Sequence, residues 1–260
     1  MNSKSDSATP DTRPARRAPL RFAVASLFAI FYWPVGALIL LIASVVPGLF
    51  MRMEARRRLG QKLVSTLLGG FMSGLEGLGI IQIHDEELKM AANLPGPLIV
   101  ACNHPALWDA PIVLRRFPQV SCIMKADLLE NPLLRNGALF AGFLPNAPRL
   151  KMVRKAVERL NAAGHLLMFP EGTRTRQEQG VINELRPGLA LLAKESGAPV
   201  LPVFITSSSG YLQKGWPIHR MPELPVSVWI RVGEVVHILP DEEVREFSQR
   251  MEEVFKVGLG

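Results

Sequence analysis

From Phe22 to Met51 thirty residues pass without a charged side chain. One membrane-crossing helix needs only about 20 apolar residues. Pro34 and Gly36 interrupt the run in its middle and Pro47-Gly48 closes it. Each leg of about a dozen residues is too short to cross a hydrocarbon core of ~30 Å. The pattern therefore predicts a hairpin bent near Pro34 that enters one face of a membrane, a re-entrant or monotopic anchor rather than a single span. A signal peptide is the weaker alternative, because the apolar stretch is over-long and no small-x-small cleavage site follows it. A buried pair of core helices is the other. Next comes "RMEARRRLGQKLVSTLLGGFMSGLEGLGI", with Leu59, Leu63, Leu67 and Phe71 at four-residue intervals. That spacing draws one stripe along an amphipathic helix with a basic start, packed on the remainder of the chain or on lipid.

Beyond Ile80 the pattern changes. "PLIVACN" (97–103), "VSCIM" (120–124), "HLLMFP" (165–170) and "PVLPVFI" (199–205) are apolar runs bounded by turn residues, and "VSVWIRVGEVV" (226–236) alternates in part. These read as strands. Between them, "RLKMVRKAVERLNAAG" (149–164) carries Met152, Val153, Val157 and Leu160 at helical period, and "PGLALLAKESG" (187–197) starts with proline and stops at glycine, as helices do. The alternation predicts an α/β fold, a mainly parallel sheet flanked by helices and preceded by the hydrophobic segment, with ligands gathered at the carboxyl ends of the strands. The chain divides into a basic tail that cannot order itself (1–19), the hydrophobic anchor (20–51), the amphipathic basic helix (52–79) and the α/β domain (80–260).

Thirty Lys and Arg against 23 Asp and Glu leave a net charge of +7, which suits an anionic membrane surface as well as nucleic acid. Arg13, Arg16, Arg17 and Arg21 precede the apolar run, and Arg52, Arg56, Arg57 and Arg58 follow it. Basic flanks on both sides put both ends of the anchor on the cytoplasmic side. Cys102 and Cys122, both within apolar runs, give neither a disulfide scaffold nor metal-site spacing and fit a reducing compartment. No metal is expected.

Two strand ends carry candidate chemistry. "VACNHPALWDAP" sets His104 just past a strand and Asp109 five residues on. On one continuous helix, five positions would rotate the two by about 140° from each other. Pro105 instead favours a turn, and a helix starting near Asp109 to Pro111 brings the carboxylate back beneath the imidazole, where it can accept from Nδ1 and leave Nε2 as a base. Asp109 is equally a plausible N-cap, and His104 a plain loop histidine. "MFPEGTRTR" (168–176) leaves a second strand and offers Glu171, Gly172, Thr173 and Arg174. Glycine allows a tight turn and close ligand approach there, while arginine supplies a fork for phosphate or carboxylate.

Together "NHPALWD" and "FPEGTRT" resemble the glycerolipid acyltransferase family, whose hallmark is N-H-x-x-x-x-D followed by F-P-E-G-T-R; the similarity covers roughly 80–236. "APVLPVF" matches the family's later apolar proline motif at Pro202. The resemblance implies transfer of a fatty acyl group from an acyl thioester, acyl-CoA or acyl-ACP, to a hydroxyl of a lysophospholipid such as 1-acylglycerol-3-phosphate. It implies His104 as base, Asp109 as its orienter, and Asn103, Glu171, Gly172, Thr173, Arg174 and Pro202 around the acceptor. No cofactor beyond the donor substrate is implied, and the partners are membrane lipids and the acyl-CoA or acyl carrier protein, not nucleic acid. The setting is the inner (cytoplasmic) membrane with the site facing the cytoplasm.

One stretch departs from the family. Where glycerol-phosphate acylating relatives carry an arginine between the two motifs, this chain reads "GALFAGFLPNAPRLKM", with Asn146 there and Arg149 three residues on. Either Arg149, helped by Arg154 or Lys155, holds an acceptor phosphate, or the acceptor is a non-glycerophosphate lipid. Hydrolysis of the thioester by water, as in a thioesterase or lipase, is the rival reaction.

Overall fold

The computed structural model describes residues 18–45, 50–162, 164–176, 178, 180–217 and 220–260. Most of the expected N-terminal tail, and Pro47-Gly48, lie outside the described residues. The first element, α1 (Ala18–Val45), runs without a break through Pro34. This corrects the hairpin expected there. Proline removes one backbone donor and crowds the preceding turn, and here the turn is held by packing. Phe28 stacks on Phe71 with ring centroids 5.7 Å apart, and Tyr32 Oη donates to the Leu67 carbonyl at 2.7 Å. Both partners belong to α2 (Met53–Gly77), which runs back antiparallel to α1. The reversal therefore falls between the two helices and not at Pro34.

After α2 come β1 (Ile81–His84), α3 (Glu86–Ala91), β2 (Ile99–Cys102), α4 (Asp109–Leu114) and β3 (Val120–Met124). Then follow α5 (Pro132–Phe140), β4 (Leu144–Pro145), α6 (Arg149–Asn161), β5 (His165–Met168), α7 (Gly188–Ser196), β6 (Val200–Ser207), β7 (Val226–Val232) and α8 (Val244–Leu259). The seven strands form one sheet in the order β1-β7-β6-β2-β5-β3-β4. Every pairing is parallel except β6 with β7. The mainly parallel α/β sheet expected from the alternation is what the chain forms.

β2 shows how the sheet is covered. All four of its residues are buried, and successive side chains point to opposite faces. Val100 and Cys102 join a core with α1, α2 and α4, including Phe71, Met72 and Ile112. Ile99 and Ala101 join a second core with α6, α7 and α8, including Leu160, Leu189 and Phe247. Residues buried on both sides explain why the strand reads as a continuous apolar run.

A buried ionic knot ties the first layer together. Arg115, at the end of α4, donates Nη2 to Asp85 Oδ2 at 2.8 Å and Nη1 to Glu76 Oε2 at 3.0 Å. Arg116 pairs with the same carboxylate through Nε at 2.7 Å and Nη2 at 2.8 Å. Burial alone would push the Asp85 carboxyl up, and the two guanidinium groups outweigh it and hold it below its ordinary 3.8. The knot fixes α4 against α2.

The outward side of α1 is apolar and uncovered. Leu27, Ile30, Phe31, Val35, Leu38 and Ile42 are each more than half exposed. Met53, which opens α2, is 85% exposed. By length and composition α1 suffices to cross a membrane, while its inner side stays docked on α2 and α5.

Candidate active site

β2 delivers Asn103 and His104 to the carboxyl end of the sheet. Residues 103–108 then turn without helix, and α4 begins at Asp109. Asp109 is the first residue of α4 rather than its cap. The cap position is Trp108, and no side chain bonds the helix end there. The Asp109 carboxylate folds back instead. Its Oδ2 lies 2.8 Å from His104 Nδ1 and accepts the Ala106 N–H at 2.6 Å. With Oδ2 already an acceptor, Nδ1 carries the hydrogen and Nε2 is left as the basic nitrogen. Asp109 is 2% exposed and the imidazole 19%. Burial pushes the Asp109 carboxyl up, and the bond to His104 opposes that rise.

The second motif braces the first. Glu171, 2% exposed, accepts the His104 N–H at 2.8 Å and the Thr175 hydroxyl at 2.8 Å on Oε1, and the Asn183 N–H at 3.0 Å on Oε2. Thr175 N–H in turn donates to the His104 carbonyl at 2.7 Å. His104 is thus clamped through both of its backbone groups by the loop that follows β5. Phe169, also in that segment, stacks on the imidazole with centroids 4.3 Å apart. Burial pushes the Glu171 carboxyl up, while the N–H groups of Asn183 and His104 pull it back.

Gly172 has φ +67°, and a Cβ there would stand 2.5 Å from Arg186 Nε. Only glycine fits that turn without displacing the arginine. Thr173 follows on the same loop, half-buried. Arg174 reaches across to the loop after β6, where its Nη1 donates to the carbonyls of Leu212 at 2.7 Å and Gln213 at 3.3 Å. Leu212 sits at φ +62°, a conformation costing about 1–3 kcal/mol for a residue with a side chain. Its carbonyl also accepts from Leu107 N–H at 3.3 Å, so the strained turn is held from both motif loops. Around it Tyr211 packs edge-on against Trp108, Trp216 and Phe22 of α1.

His104, Asp109, Glu171, Gly172, Thr173 and Arg174 therefore converge on one end of the sheet. The other positions stand apart from this cluster, buried in the sheet or displaced along it. Asn103 is 2% exposed and bonds the Ile205 backbone through both ends of its amide, at 2.9 and 2.7 Å, so it joins β2 to β6. Pro202 lies buried near the start of β6, opposite Ala101, and its carbonyl accepts from Gly233. Both belong to the sheet interior rather than to an open acceptor surface. Arg149 is exposed at the start of α6, after β4. β4 stands three strand spacings from β2, about 14 Å away. Asn146 accepts from Ala126 N–H at 3.1 Å, which closes the turn after β3. Sequence reasoning did not single out Thr175, Asn183, Phe169 or Arg186. Thr175 and Phe169 stand inside the quoted motif, whereas Asn183 lies in a run with no periodic pattern.

Comparison with known proteins bears on this geometry. Residues 81–206, from β1 almost to the end of β6, match the family model described as Acyltransferase. That stretch of the chain is similar to the family. It is 25% identical over 177 residues to the 1-acyl-sn-glycerol-3-phosphate acyltransferase of Pseudomonas aeruginosa, a match covering 64% of this chain and 65% of that one. It is 28% identical over 227 residues to the lysophospholipid acyltransferase LPCAT4 of Xenopus tropicalis, covering 84% of this chain and 38% of that protein. The chain thus spans under two thirds of the length of these two relatives. The crystal structure of the 1-acyl-sn-glycerophosphate (LPA) acyltransferase PlsC from Thermotoga maritima superposes with a TM-score of 0.69 at 22% identity, covering 94% of this chain and 96% of that one. The fold of the chain, the sheet and its preceding helices together, is shared with that structure.

Proposed function

We propose that the protein is an O-acyltransferase that moves a fatty acyl group from an acyl thioester, on coenzyme A or acyl carrier protein, to the free hydroxyl of a lysophospholipid such as 1-acylglycerol-3-phosphate. One observation carries the reading: at the strand end His104 is held by Asp109 through Nδ1 at 2.8 Å and by Glu171 through its backbone at 2.8 Å, with the imidazole still 19% exposed. In this reading Nε2 takes the proton of the acceptor hydroxyl as its oxygen attacks the thioester carbonyl. The tetrahedral adduct collapses, the carbon–sulfur bond breaks, and the imidazolium returns the proton to the departing thiolate. A thioester is activated already, so a base and an oriented alcohol suffice, and no enzyme nucleophile enters. Cys102 is no candidate, since complete burial pushes its thiol well above the ordinary range.

The names of the relatives support a phosphate-bearing acceptor. Arg174 is the cation this reading places at the acceptor phosphate, with the backbone of Gly172 and Thr173; Arg149 serves only if the acceptor extends along the sheet. The exposed side of α1 supports seating in one membrane leaflet. Crossing the bilayer would strip α1 from α2 and α5, whereas lying in the surface keeps the Phe28–Phe71 and Tyr32–Leu67 contacts. The active end then faces the cytoplasm.

The test is to supply labelled acyl thioester and lysophosphatidate to the membrane-bound protein and separate the products. Label in the diacyl lipid is expected, and label in free fatty acid alone would make the protein a hydrolase. Replacing lysophosphatidate by a phosphate-free lipid alcohol should lower kcat/KM; an equal rate would point to a neutral acceptor.

A further inference from the structure

A basic cavity lies at the end of the sheet opposite His104. It encloses about 240 Å³ and is lined by Glu54, Arg57, Arg58 and Gln61 of α2, Arg159 of α6 and His165, the first residue of β5. β5 pairs with β2 in parallel, Leu166 beside Ile99, so His165 and His104 stand about 20 Å apart along the strands. The cavity is therefore no part of the site described above.

Its donors outnumber its acceptors. Arg57 and Arg159 both pass Gly142: a Cβ there would stand 2.7 Å from the Arg57 stem at Cδ and 3.6 Å from Arg159 Nη2. The Arg57 side chain is only 12% exposed, and the carboxylate facing it, Glu54, is half exposed and shared with Arg58. Arg57 Nε and His165 Nδ1 are both buried without a hydrogen-bond partner, an arrangement that disfavours the empty state. Arg159 has no acidic partner among the described residues. Gln61 is buried and fixed by its bond to Ser121 Oγ at 3.2 Å. Beside this polar cavity, and sharing Arg58, Pro118 and Gln119 with it, is a second hollow of about 280 Å³ walled by Leu59 and the Lys62 stem. Guanidinium groups lining one polar cavity next to an apolar hollow suit an oxyanion attached to something greasy.

We propose that this cavity is a binding site for a phosphate group, held by Arg57 and Arg159 with His165, and separate from the acyl-transfer centre. The phosphate comes either from an anionic lipid headgroup whose glyceride stem lies along Leu59 and Pro118, or from free phosphate. The lipid source accords with position: on α2 the cavity-lining Glu54 and Arg57 flank Arg56, whose Nη2 bonds the Ser44 carbonyl of α1 at 3.1 Å, close to the uncovered apolar side.

The test compares full-length wild type with Arg57→Gln/Arg159→Gln, with Arg159→Gln alone, and with a control of equal charge loss, Lys89→Gln/Arg245→Gln, on exposed helix positions. Calorimetry with inorganic phosphate on detergent-dispersed protein gives one arm. Binding to phosphatidylcholine vesicles with and without phosphatidylglycerol, a lipid that is neither substrate nor product of the proposed reaction, gives the other. The double variant is expected to weaken binding by about tenfold or more, the loss of a charge-assisted hydrogen bond. The control should keep wild-type affinity, and acyl transfer at saturating substrate should be unchanged in Arg159→Gln. A loss with inorganic phosphate assigns free phosphate; a loss confined to phosphatidylglycerol vesicles assigns the lipid headgroup. Should Arg57→Gln unfold the protein, Arg159→Gln alone must show the weakening. Equal affinities for wild type and cavity variants, or a loss matched by the control, would overturn the proposal.

Discussion

Replacing Glu171 by glutamine separates two roles that its position allows. In the structure both carboxylate oxygens accept from within the protein: Oε1 from His104 N–H and Thr175 Oγ–H, Oε2 from Asn183 N–H. Glutamine keeps one oxygen and puts an NH₂ in place of the other. Its best orientation retains the Oε1 pair and turns the NH₂ toward Asn183 N–H, so one bond is lost and two donors face each other in a site 2% exposed. An unsatisfied buried donor costs about 1–3 kcal/mol. For a chain of this size that lowers the melting midpoint by about 2–10 °C. Because the strain falls on the loop clamping the His104 backbone, kcat should drop about tenfold or more, as base and hydroxyl lose alignment, with little change in the acceptor's KM. Thr175→Val, which removes only the hydroxyl donor to Oε1, should show a smaller version of the same pattern. Thermal unfolding followed by circular dichroism, with initial rates over a range of lysophosphatidate, supplies both readouts. An unchanged melting midpoint with a raised acceptor KM would refute this reasoning and make Glu171 a substrate ligand.

The ionic knot makes a pH prediction. Asp85 is held below 3.8 by Arg115 and Arg116, so its contribution to stability is full above that value and disappears as pH falls through the lowered native value. The melting gap between wild type and Asp85→Asn, corresponding to about 3 kcal/mol for a buried pair deprived of one partner, should be constant from neutral pH down to about 5 and close in stronger acid; a gap independent of pH down to acid unfolding would exclude the ion pair as its source. On α1, Ile30→Asp/Phe31→Asp, both at exposed positions, should leave turnover of detergent-dispersed acceptor intact while shifting the protein from membrane to supernatant on flotation. Undiminished membrane binding would place the anchor elsewhere. Arg174→Lys keeps the charge but loses the planar guanidinium whose Nη1 bonds the Leu212 and Gln213 carbonyls. It should raise the acceptor KM more than it lowers kcat, whereas Arg149→Ala should leave both near wild type; the reverse ranking would move the phosphate to the start of α6.

The parts legible in the sequence were those with a local cause. Apolar runs bounded by turn residues became β2, β3, β5 and β6, because a strand covered on both faces must be apolar throughout. Helical rotation ruled out one continuous helix and Pro105 pointed to a turn, so the return of Asp109 to the imidazole was legible as one of two readings, the N-cap being the other. Pro34 misled for the converse reason: a proline's tendency to bend a helix is local, and tertiary contacts from Phe71 and Leu67 keep α1 straight. The internal bonding of Asn103, Glu171 and Arg174 was also out of reach. Each meets a partner distant in sequence or on a patternless loop: Ile205, Asn183 and Leu212. No periodicity reports which of two polar atoms will face each other after folding. Spacing likewise could not foretell that Arg149 and His104 leave the same end of the sheet three strands apart.

The central claim is that the His104–Asp109 pair deprotonates the acceptor hydroxyl and that the His104 imidazole is not needed for the fold. The most direct measurement is acyl transfer to lysophosphatidate by His104→Ala and Asp109→Asn beside their melting curves. Loss of a general base lowers the rate by about a hundred- to ten-thousandfold, and asparagine at 109 fixes the wrong tautomer with a comparable loss. The account predicts that both variants fall by those factors, with His104→Ala melting like wild type. A folded His104→Ala retaining more than about a tenth of the activity would contradict it.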